Sequence, residues 1–285
     1  MFDSKAEMLR ALEASAPVAQ AGRQDELTIA TWNIQWLNAQ LHRGGVKRRE
    51  GDYAALRRYA QALNADVIAL QEVDGPIAAA RVFPPDEYEY HFSTRRSVTR
   101  VGFVIRKGIP WKANPDYAAL DVGKVPRGVD ITLYPDTQPI RLLAVHLKSG
   151  CFRSGPLMGF SKACRTLHRQ VPMLERWIDD RAREGVPFFV LGDFNRQFNH
   201  DNDAFWAEID DGEPPNADLT NFTVGHIDEC HDRKWPRFID HIVADRLATE
   251  LVLKRSFRQI VFTPQDTKAW KLSDHCPISL RVQLG

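Results

Sequence analysis

The chain has 285 residues, of which 44% are hydrophobic and 26% charged, a composition typical of a globular protein with a substantial core. Its 38 basic and 37 acidic residues sum to a formal charge of +1. This balance neither indicates nor excludes nucleic-acid binding, which needs only a local basic face. The sequence contains no run of about 18 apolar residues, so no transmembrane helix is predicted.

The first 24 residues are rich in alanine and polar side chains, and we expect them to form an N-terminal arm ahead of one domain over residues 25–285. The arm lacks the apolar segment of a signal peptide. The sequence therefore leaves the compartment open: cytoplasmic, or periplasmic or secreted if a leader has been removed. Cys151 and Cys164 flank a loop containing glycine and serine, and they form either a disulfide or two free thiols.

From residue 27 onward, short runs of valine, isoleucine, leucine and phenylalanine are bounded by glycine, proline and polar residues, a pattern typical of strands. Several runs are apolar at consecutive positions, which favours strands buried on both faces. The predicted strands cover residues 27–34, 66–70, 101–105, 129–134, 140–147, 187–191, 238–243 and 277–282.

Three segments are predicted as helices. Residues 52–64 carry an apolar stripe, with Asp52 as the expected N-cap. Residues 161–183 carry another stripe, which Pro172 is expected to bend or to place near the first turn. Residues 203–209 form a short third candidate. Strands and helices mix without strict alternation, which predicts a layered α/β or α+β sandwich.

Polar residues recur at the ends of six predicted strands. Each one alone is more often a cap or a turn former than a catalyst. Their recurrence is informative because acids, amides and histidines are costly to bury without a partner, and together they would form an acidic pocket suited to a hard divalent cation. The residues are Asn33, Glu72, His146, Asp193, Asn195, Asp240, Asp274 and His275.

These residues belong to six short blocks, namely TWNI (31–34), ALQEV (69–73), VHLK (145–148), GDFN (192–195), IDHI (239–242) and SDHCPI (273–278). The series resembles, in order, the motifs of the endonuclease/exonuclease/phosphatase superfamily, which includes pancreatic deoxyribonuclease, abasic-site endonucleases, sphingomyelinases and inositol polyphosphate 5-phosphatases. The resemblance implies a four-layered sandwich of two packed, mostly antiparallel β-sheets flanked by helices, with the site at one end between the sheets.

The resemblance also implies a metal site. Glu72 would hold Mg²⁺, with Mn²⁺ or Ca²⁺ as alternatives, because such hard cations prefer oxygen ligands. Asp274 would complete or flank the site, and Asn33 would hold the phosphate or a metal-bound water.

For the catalytic groups, the resemblance implies that Asp193 orients or deprotonates the attacking water. Asn195 would contact a phosphate oxygen or steer Asp193. Asp240 and His275 would form a carboxylate–imidazole pair that stabilises the pentacovalent phosphate, and His146 would stabilise the same charge or protonate the leaving oxygen.

Three residues are candidates for binding substrate. Lys148 lies two residues after His146 and would face the same side of a strand, although it could equally be a solvated lysine. Arg127 precedes a predicted strand, and Trp270 lies shortly before Asp274. Three basic loops, at residues 42–49, 93–107 and 233–237, would either contact phosphates or form solvated surface.

The leading hypothesis is a monomeric, metal-dependent nuclease that hydrolyses DNA or RNA. The alternative is a phosphodiesterase or phosphatase acting on a small molecule or a lipid headgroup, as a sphingomyelinase does, with the long loop at residues 149–165 forming a wall or lid. A non-catalytic binding module is the third hypothesis, which the complete motif set disfavours.

Overall fold

The computed structural model describes residues 25–94, 97–121, 128–134, 136–157, 161–198, 203–215, 217–230 and 236–284. The predicted N-terminal arm and Arg127 lie outside these residues. Among the helices that are described, none has the length and apolar character needed to cross a membrane.

The first sheet has six strands in the order β11-β12-β1-β2-β4-β3. Only β1 and β2 pair in parallel, and the other described pairs are antiparallel. The strands are β1 (Glu26–Leu37), β2 (Val67–Val73), β3 (Tyr88–Phe92), β4 (Arg100–Arg106), β11 (Arg258–Gln259) and β12 (Ile278–Gln283).

The second sheet also has six strands, in the order β5-β6-β7-β8-β10-β9, and again has one parallel pair, β7 with β8. Its remaining described pairs are antiparallel. The strands are β5 (Trp111–Ala113), β6 (Val129–Leu133), β7 (Ile140–His146), β8 (Phe188–Asp193), β9 (Leu219–Asn221) and β10 (Asp240–Asp245).

Two long helices cover the sheets, and shorter ones connect the strands. The helices are α1 (Glu50–Leu63), α2 (Pro76–Ala79), α3 (Lys162–Glu184), α4 (Ala204–Ile209), α5 (Arg246–Leu251) and α6 (Pro264–Ala269), with one 3₁₀ turn at Ala118–Leu120.

Three apolar cores hold these layers together. The central core lies between the sheets and takes alternate side chains of both, such as Ile29 and Leu191. A second core packs the first sheet against α1 through residues such as Leu56. A third packs the second sheet against α3 through residues such as Leu174. The predicted four-layered, mostly antiparallel sandwich is therefore confirmed.

The start of α1 differs from the prediction. Arg49 occupies the N-cap position, and Asp52 is the third helical residue. The Asp52 carboxylate reaches back and accepts a hydrogen bond of 2.6 Å from the Arg49 amide. This contact satisfies an amide that has no partner within the helix, so the carboxylate serves the helix start from inside the first turn.

The other helix predictions agree better with the structure. Ser161 caps α3 by accepting from the Cys164 amide, and Asp203 caps α4 through the amides of Phe205 and Trp206. Pro172 lies inside α3 without ending it. Four strands, β3, β5, β9 and β11, were not predicted, because they are short and only partly apolar.

Candidate active site

Three predicted site residues form one row across the second sheet. His146 on β7 is the register partner of Asp193 on β8, which is in turn the partner of Asp240 on β10. Side chains two positions apart on a strand share a face. The residues two positions before His146 and Asp193, and two positions after Asp240, belong to the central core. These are Ala144, Leu191 and Ile242. The row is thus the polar end of the face that packs against the first sheet.

Gly192 permits this row to form. A Cβ at this position would lie 2.0 Å from the carbonyl oxygen of Val145, far inside contact distance. Only glycine therefore lets β7 and β8 approach closely at the residue before Asp193.

Asp193 is 2% exposed, and both of its carboxylate oxygens have partners. Its Oδ2 accepts from Asn33 Nδ2 at 3.0 Å, across the gap between the sheets, and lies 3.6 Å from His146 Nε2. Its Oδ1 accepts from the Asn195 amide at 2.8 Å. Asn195 has a left-handed backbone, with a φ of 52°, and its side chain donates to the Leu147 carbonyl. Asn195 therefore acts on Asp193 through its backbone.

Asp240 and His275 form the expected pair, with 2.6 Å between Oδ2 of Asp240 and Nδ1 of His275. Burial alone would lower the pKa of His275, but the carboxylates of Asp240 and Asp193 outweigh it and hold that pKa well above its ordinary value. The ring is therefore cationic at neutral pH and presents its positive charge beside Asp193.

The loop that carries His275 is fastened to β1. Ser273 Oγ donates to the Asn33 carbonyl at 2.6 Å and accepts from the His275 amide at 3.1 Å. The Trp32 indole donates to the His275 carbonyl at 3.1 Å. These contacts set the position of His275 relative to Asn33.

Glu72 reaches the site through an irregularity in β2. Its pairing with β4 shifts register between Leu70 and Val73, and Glu72 has a left-handed φ of 61°. In a regular strand, successive side chains point to opposite faces, so Glu72 would point away from the face that carries Gln71. The bulge changes the direction of the Glu72 side chain. Glu72 Oε1 lies 3.9 Å from His146 Nε2, so side chains of the two sheets approach each other at the site.

Asp274 occupies the outer edge of the same region. Its side chain is 56% exposed, and its Oδ1 lies 3.9 Å from His275 Nε2. Glu72 and Asp274 both act electrostatically on the guanidinium of Arg48, so the two carboxylates flank one buried cation.

Arg48 is a structural element of the site that sequence reasoning missed. Within the run at residues 42–49 it was expected to be loop surface, but the side chain is fully buried. It donates to five backbone carbonyls, on the segment after Asn33 and on the segment before Asp274. The acceptors are Ile34, Gln35, Trp36, Lys271 and Leu272. Burial lowers the pKa of Arg48 to about 10, so it remains charged at neutral pH.

Two predicted substrate-binding residues have other contacts. Lys148 Nζ donates to the carbonyl and the hydroxyl of Ser149. The Trp270 ring packs against Gly51 at the start of α1. Arg127 is outside the described residues, as is most of the basic segment at residues 233–237.

Within the predicted basic loop at residues 93–107, the loop assignment is wrong for residues 100–106, which form β4 and include the strand predicted at residues 101–105. The run VGFVIR pairs with both neighbours in the first sheet, and Arg106 forms an ion pair of 2.9 Å with Asp66. Arg106 is therefore paired with a residue of its own sheet.

His241, inside the IDHI block, is a structural histidine. Its ring is fully buried, with 2.7 Å between Nδ1 and Thr223 Oγ1 and 2.8 Å between Nε2 and the Arg196 carbonyl oxygen. Burial lowers its pKa to about 4, so the ring is neutral at physiological pH.

All four cysteines are paired. Cys151 and Cys164 form one disulfide, which stiffens the loop after β7. Cys230 and Cys276 form the second, which was not predicted because the two residues are 46 positions apart. It attaches the loop before β10 to the residue after His275.

Three side chains could in principle share a cation without Glu72. Asp193, Asp240 and His275 offer ligand atoms within 4.8 Å of one another. Metal binding there would require a deprotonated His275, so the cation would compete with the proton that Asp240 and Asp193 stabilise on this ring.

Several solved structures share the fold of this chain. The AP endonuclease LMAP from Leishmania major is 18% identical, with a TM-score of 0.61 over 99% of this chain and 100% of that one. An endonuclease/exonuclease/phosphatase from Bacteroides vulgatus is 15% identical, with a TM-score of 0.63 over 91% of this chain and 99% of the other. TDP2 from D. rerio, solved with a single-strand DNA product, is 15% identical, with a TM-score of 0.60 over 90% and 98%.

These likenesses establish the fold. A search of curated proteins by sequence finds no significant match. A profile of the endonuclease/exonuclease/phosphatase family matches residues 30–275, a span that contains every site residue described above. The chain is therefore a member of the endonuclease/exonuclease/phosphatase family.

Proposed function

We propose that this protein is a divalent-metal-dependent phosphodiesterase that hydrolyses nucleic acid by in-line attack of water. The observation that carries the proposal is the convergence of Glu72, Asn33, His146 and Asp193 from the two sheets, beside the Asp240–His275 pair. A phosphodiester is anionic, so its hydrolysis requires charge neutralisation together with an oriented water. The site has groups of both kinds.

The residues of the first sheet fit a hard cation best. Glu72 and Asp274 are carboxylates with exposed fractions of 19% and 56%, so a cation can exchange some of its waters for their oxygens at little cost. We propose that Mg²⁺ binds at Glu72 with Asp274 beside it, and Mn²⁺ or Ca²⁺ would suit the same oxygens. When bound, the cation supplies charge neutralisation at the phosphate.

Asp193 is the residue best placed to orient the attacking water. Hydrogen bonds from Asn33 and from the Asn195 amide fix its carboxylate in one orientation, and His146 approaches the same oxygen as Asn33 does. A general base must hold one geometry while it accepts a proton. The Asn33 contact also makes the position of Asp193 depend on the packing of the two sheets.

His275 is suited to stabilise the transition state. Asp240 holds its ring in one orientation and favours the protonated form, as a carboxylate does for an imidazole. A fixed positive charge at the point where negative charge develops is worth more than a mobile one, because no reorganisation is needed during the reaction. His146 lies on the other side of Asp193 and would protonate the leaving oxygen or add to this stabilisation.

Nucleic acid is the proposed substrate because two of the structural neighbours are a nuclease and a protein solved with a DNA product. Lys148, Arg127 and Trp270 remain candidates for substrate contact. Small-molecule or lipid phosphate esters are the alternative outcome of the test below. We further propose that the protein matures in an oxidising compartment, because all four cysteines form disulfides. Thiol titration of the protein isolated from its native compartment would check the pairing. A monomer remains the proposed oligomeric state.

The direct test is nicking of supercoiled plasmid with Mg²⁺, with and without EDTA. Asp193→Asn keeps the shape of the side chain and removes the base, so we expect nicking to fall about a thousandfold. Asp218→Asn, an exposed acid outside the site, is the matched control. Metal-independent nicking, or equal rates in Asp193→Asn and the wild type, would contradict the proposal. If the protein hydrolysed phosphocholine esters and left DNA intact, the proposed substrate would be wrong, whereas the proposed mechanism would stand.

A further inference from the structure

The segment after Asn33 has an unusual backbone for its residue types. Gln35 and Trp36 both lie in the left-handed region, with φ values of 46° and 52°. This region is unfavourable for side chains larger than glycine or asparagine, and a bulky residue there is a clear outlier. Such conformations persist only where surrounding contacts enforce them, and they cluster at functional sites.

The contacts that enforce this backbone come from three residues, the first being Asn33, whose Oδ1 accepts from the Gln35 amide at 3.1 Å. The buried Arg48 guanidinium donates to the carbonyls of Ile34, Gln35 and Trp36, at 2.8 to 3.3 Å. From the other side, the Trp36 amide donates to Glu72 Oε2 at 3.2 Å. Trp36 is thus tied at its amide to the proposed metal ligand and at its carbonyl to the buried cation.

The side chain of Trp36 is held but not covered. Its ring packs on the backbone of Gly45, where a Cβ would lie 2.7 Å from ring atom Cδ2. The residue is nevertheless 39% exposed. Isolated exposed apolar residues are ordinary on protein surfaces, and Ile77, which is 75% exposed on the regular helix α2, needs no explanation. Trp36 differs from Ile77 because its backbone is strained and because hydrogen bonds with the buried Arg48 and with Glu72 fix its position.

We propose that Trp36 contacts substrate and stacks on the nucleobase next to the phosphate that is hydrolysed. The inference rests on the proposed function, since it assumes hydrolysis at Glu72 and Asp193. Aromatic rings stack on bases of any sequence, because every base has a π-face. The hydrogen bond from its own amide to Glu72 places Trp36 directly beside the metal ligand, where a group attached to the scissile phosphate would lie.

The test compares two synthetic esters with the same 4-nitrophenol leaving group. One is thymidine 5′-(4-nitrophenyl phosphate), and the other is the same compound with hydrogen in place of the base. For Trp36→Ala, we expect the ratio of kcat/KM for the thymidine ester to that for the base-free ester to fall about tenfold, through KM. Trp36→Phe keeps an aromatic face and should retain the ratio within about threefold.

A second variant moves the ring without removing it. Gly45→Ala places a methyl group where the indole now packs, so the ratio should fall in this variant too. Ile77→Ala removes another exposed apolar side chain, on α2, and is the matched control, which should not change the ratio. Circular dichroism and thermal melting of each variant identify any loss of folding.

The outcomes separate the two proposals. If wild-type protein neither nicks plasmid nor hydrolyses either ester with Mg²⁺, both the proposed function and the inference are overturned. If it nicks plasmid but hydrolyses neither ester, the inference alone is overturned, because one stacked base should suffice to bind the thymidine ester. If both esters are hydrolysed but a folded Trp36→Ala keeps the wild-type ratio within about twofold, the inference alone is overturned. A wild-type enzyme that shows no preference for the thymidine ester also overturns it and favours a substrate without a base.

Discussion

The two sheets deliver their site residues in different ways. The second sheet places His146, Asp193 and Asp240 in one row of regular, register-paired strands. Its two acids have side chains only 2% and 9% exposed. The first sheet uses bulged and left-handed backbone around Glu72, and a loop at Asp274, and leaves these acids 19% and 56% exposed.

This difference indicates a division of labour. A buried carboxylate must keep its hydrogen-bond partners, so it has one orientation and suits proton transfer or the fixing of a histidine. An exposed carboxylate can exchange water for a cation and release it again. We therefore expect the first sheet to bind the metal and the second to carry the proton chemistry.

The most severe test of this division compares Glu72→Gln with Asp193→Asn. Both should reduce plasmid nicking about a thousandfold. We expect Mg²⁺ to raise the Tm of the wild type, since ligand binding to the folded state stabilises it, and only Glu72→Gln should abolish this rise. Thermal melting with and without Mg²⁺ measures this. An Asp193→Asn protein that no longer responds to Mg²⁺ would show that the metal binds at the second sheet.

Removal of Arg48 should mainly destabilise the part of the site that lies on the first sheet. Arg48→Met leaves five carbonyls without their donor, so we expect a loss of roughly 3 to 5 kcal/mol in the free energy of unfolding. That loss corresponds to a fall in Tm of about 10 °C. Arg49→Met is the control, because Arg49 is 62% exposed and surface ion pairs contribute little. Equal melting temperatures for the two variants would contradict this role.

The two disulfides allow a similar comparison. Cys230–Cys276 joins residues 46 positions apart beside the first sheet, and Cys151–Cys164 joins residues 13 apart after β7. Loop-closure entropy predicts losses of about 4 and about 3 kcal/mol when each pair is replaced by serine. Chemical denaturation of the two double variants, each compared with the wild type, measures this. The order would be reversed if strain or residual structure in the unfolded chain dominated.

A pH-dependent change in stability is expected in the helix layer over the second sheet. Burial raises the pKa of Glu175 in α3 to about 8, and the neighbouring Asp179 reinforces the shift. The folded state therefore holds a proton that the unfolded state has released, and this stabilisation is lost as pH rises through about 8. Glu175→Gln removes the dependence, so its Tm should exceed that of the wild type by more at pH 9 than at pH 5. Glu250→Gln, an exposed acid on α5, should show no such trend.

The predictability of the site followed the same division. Asp193 and His146 lie at the ends of apolar runs, so their positions at strand ends marked them as candidates, and the structure pairs them in register. Glu72 was also marked by its position at a strand end, but alternation along a regular strand would have directed it to the opposite face. Arg48 carried no signal that separates it from Arg49, although one is fully buried and the other exposed.

The sequence by itself determined the layered class, most strand and helix positions and the six polar blocks, because these depend on periodicity and on residue chemistry within a few positions. Only the tertiary structure decided the direction of Glu72, the burial of Arg48, the exposed setting of Trp36 and the pairing of Cys230 with Cys276. Each of these depends on which distant segments meet when two sheets pack. Such contacts join residues tens to hundreds of positions apart and leave no local pattern in the chain.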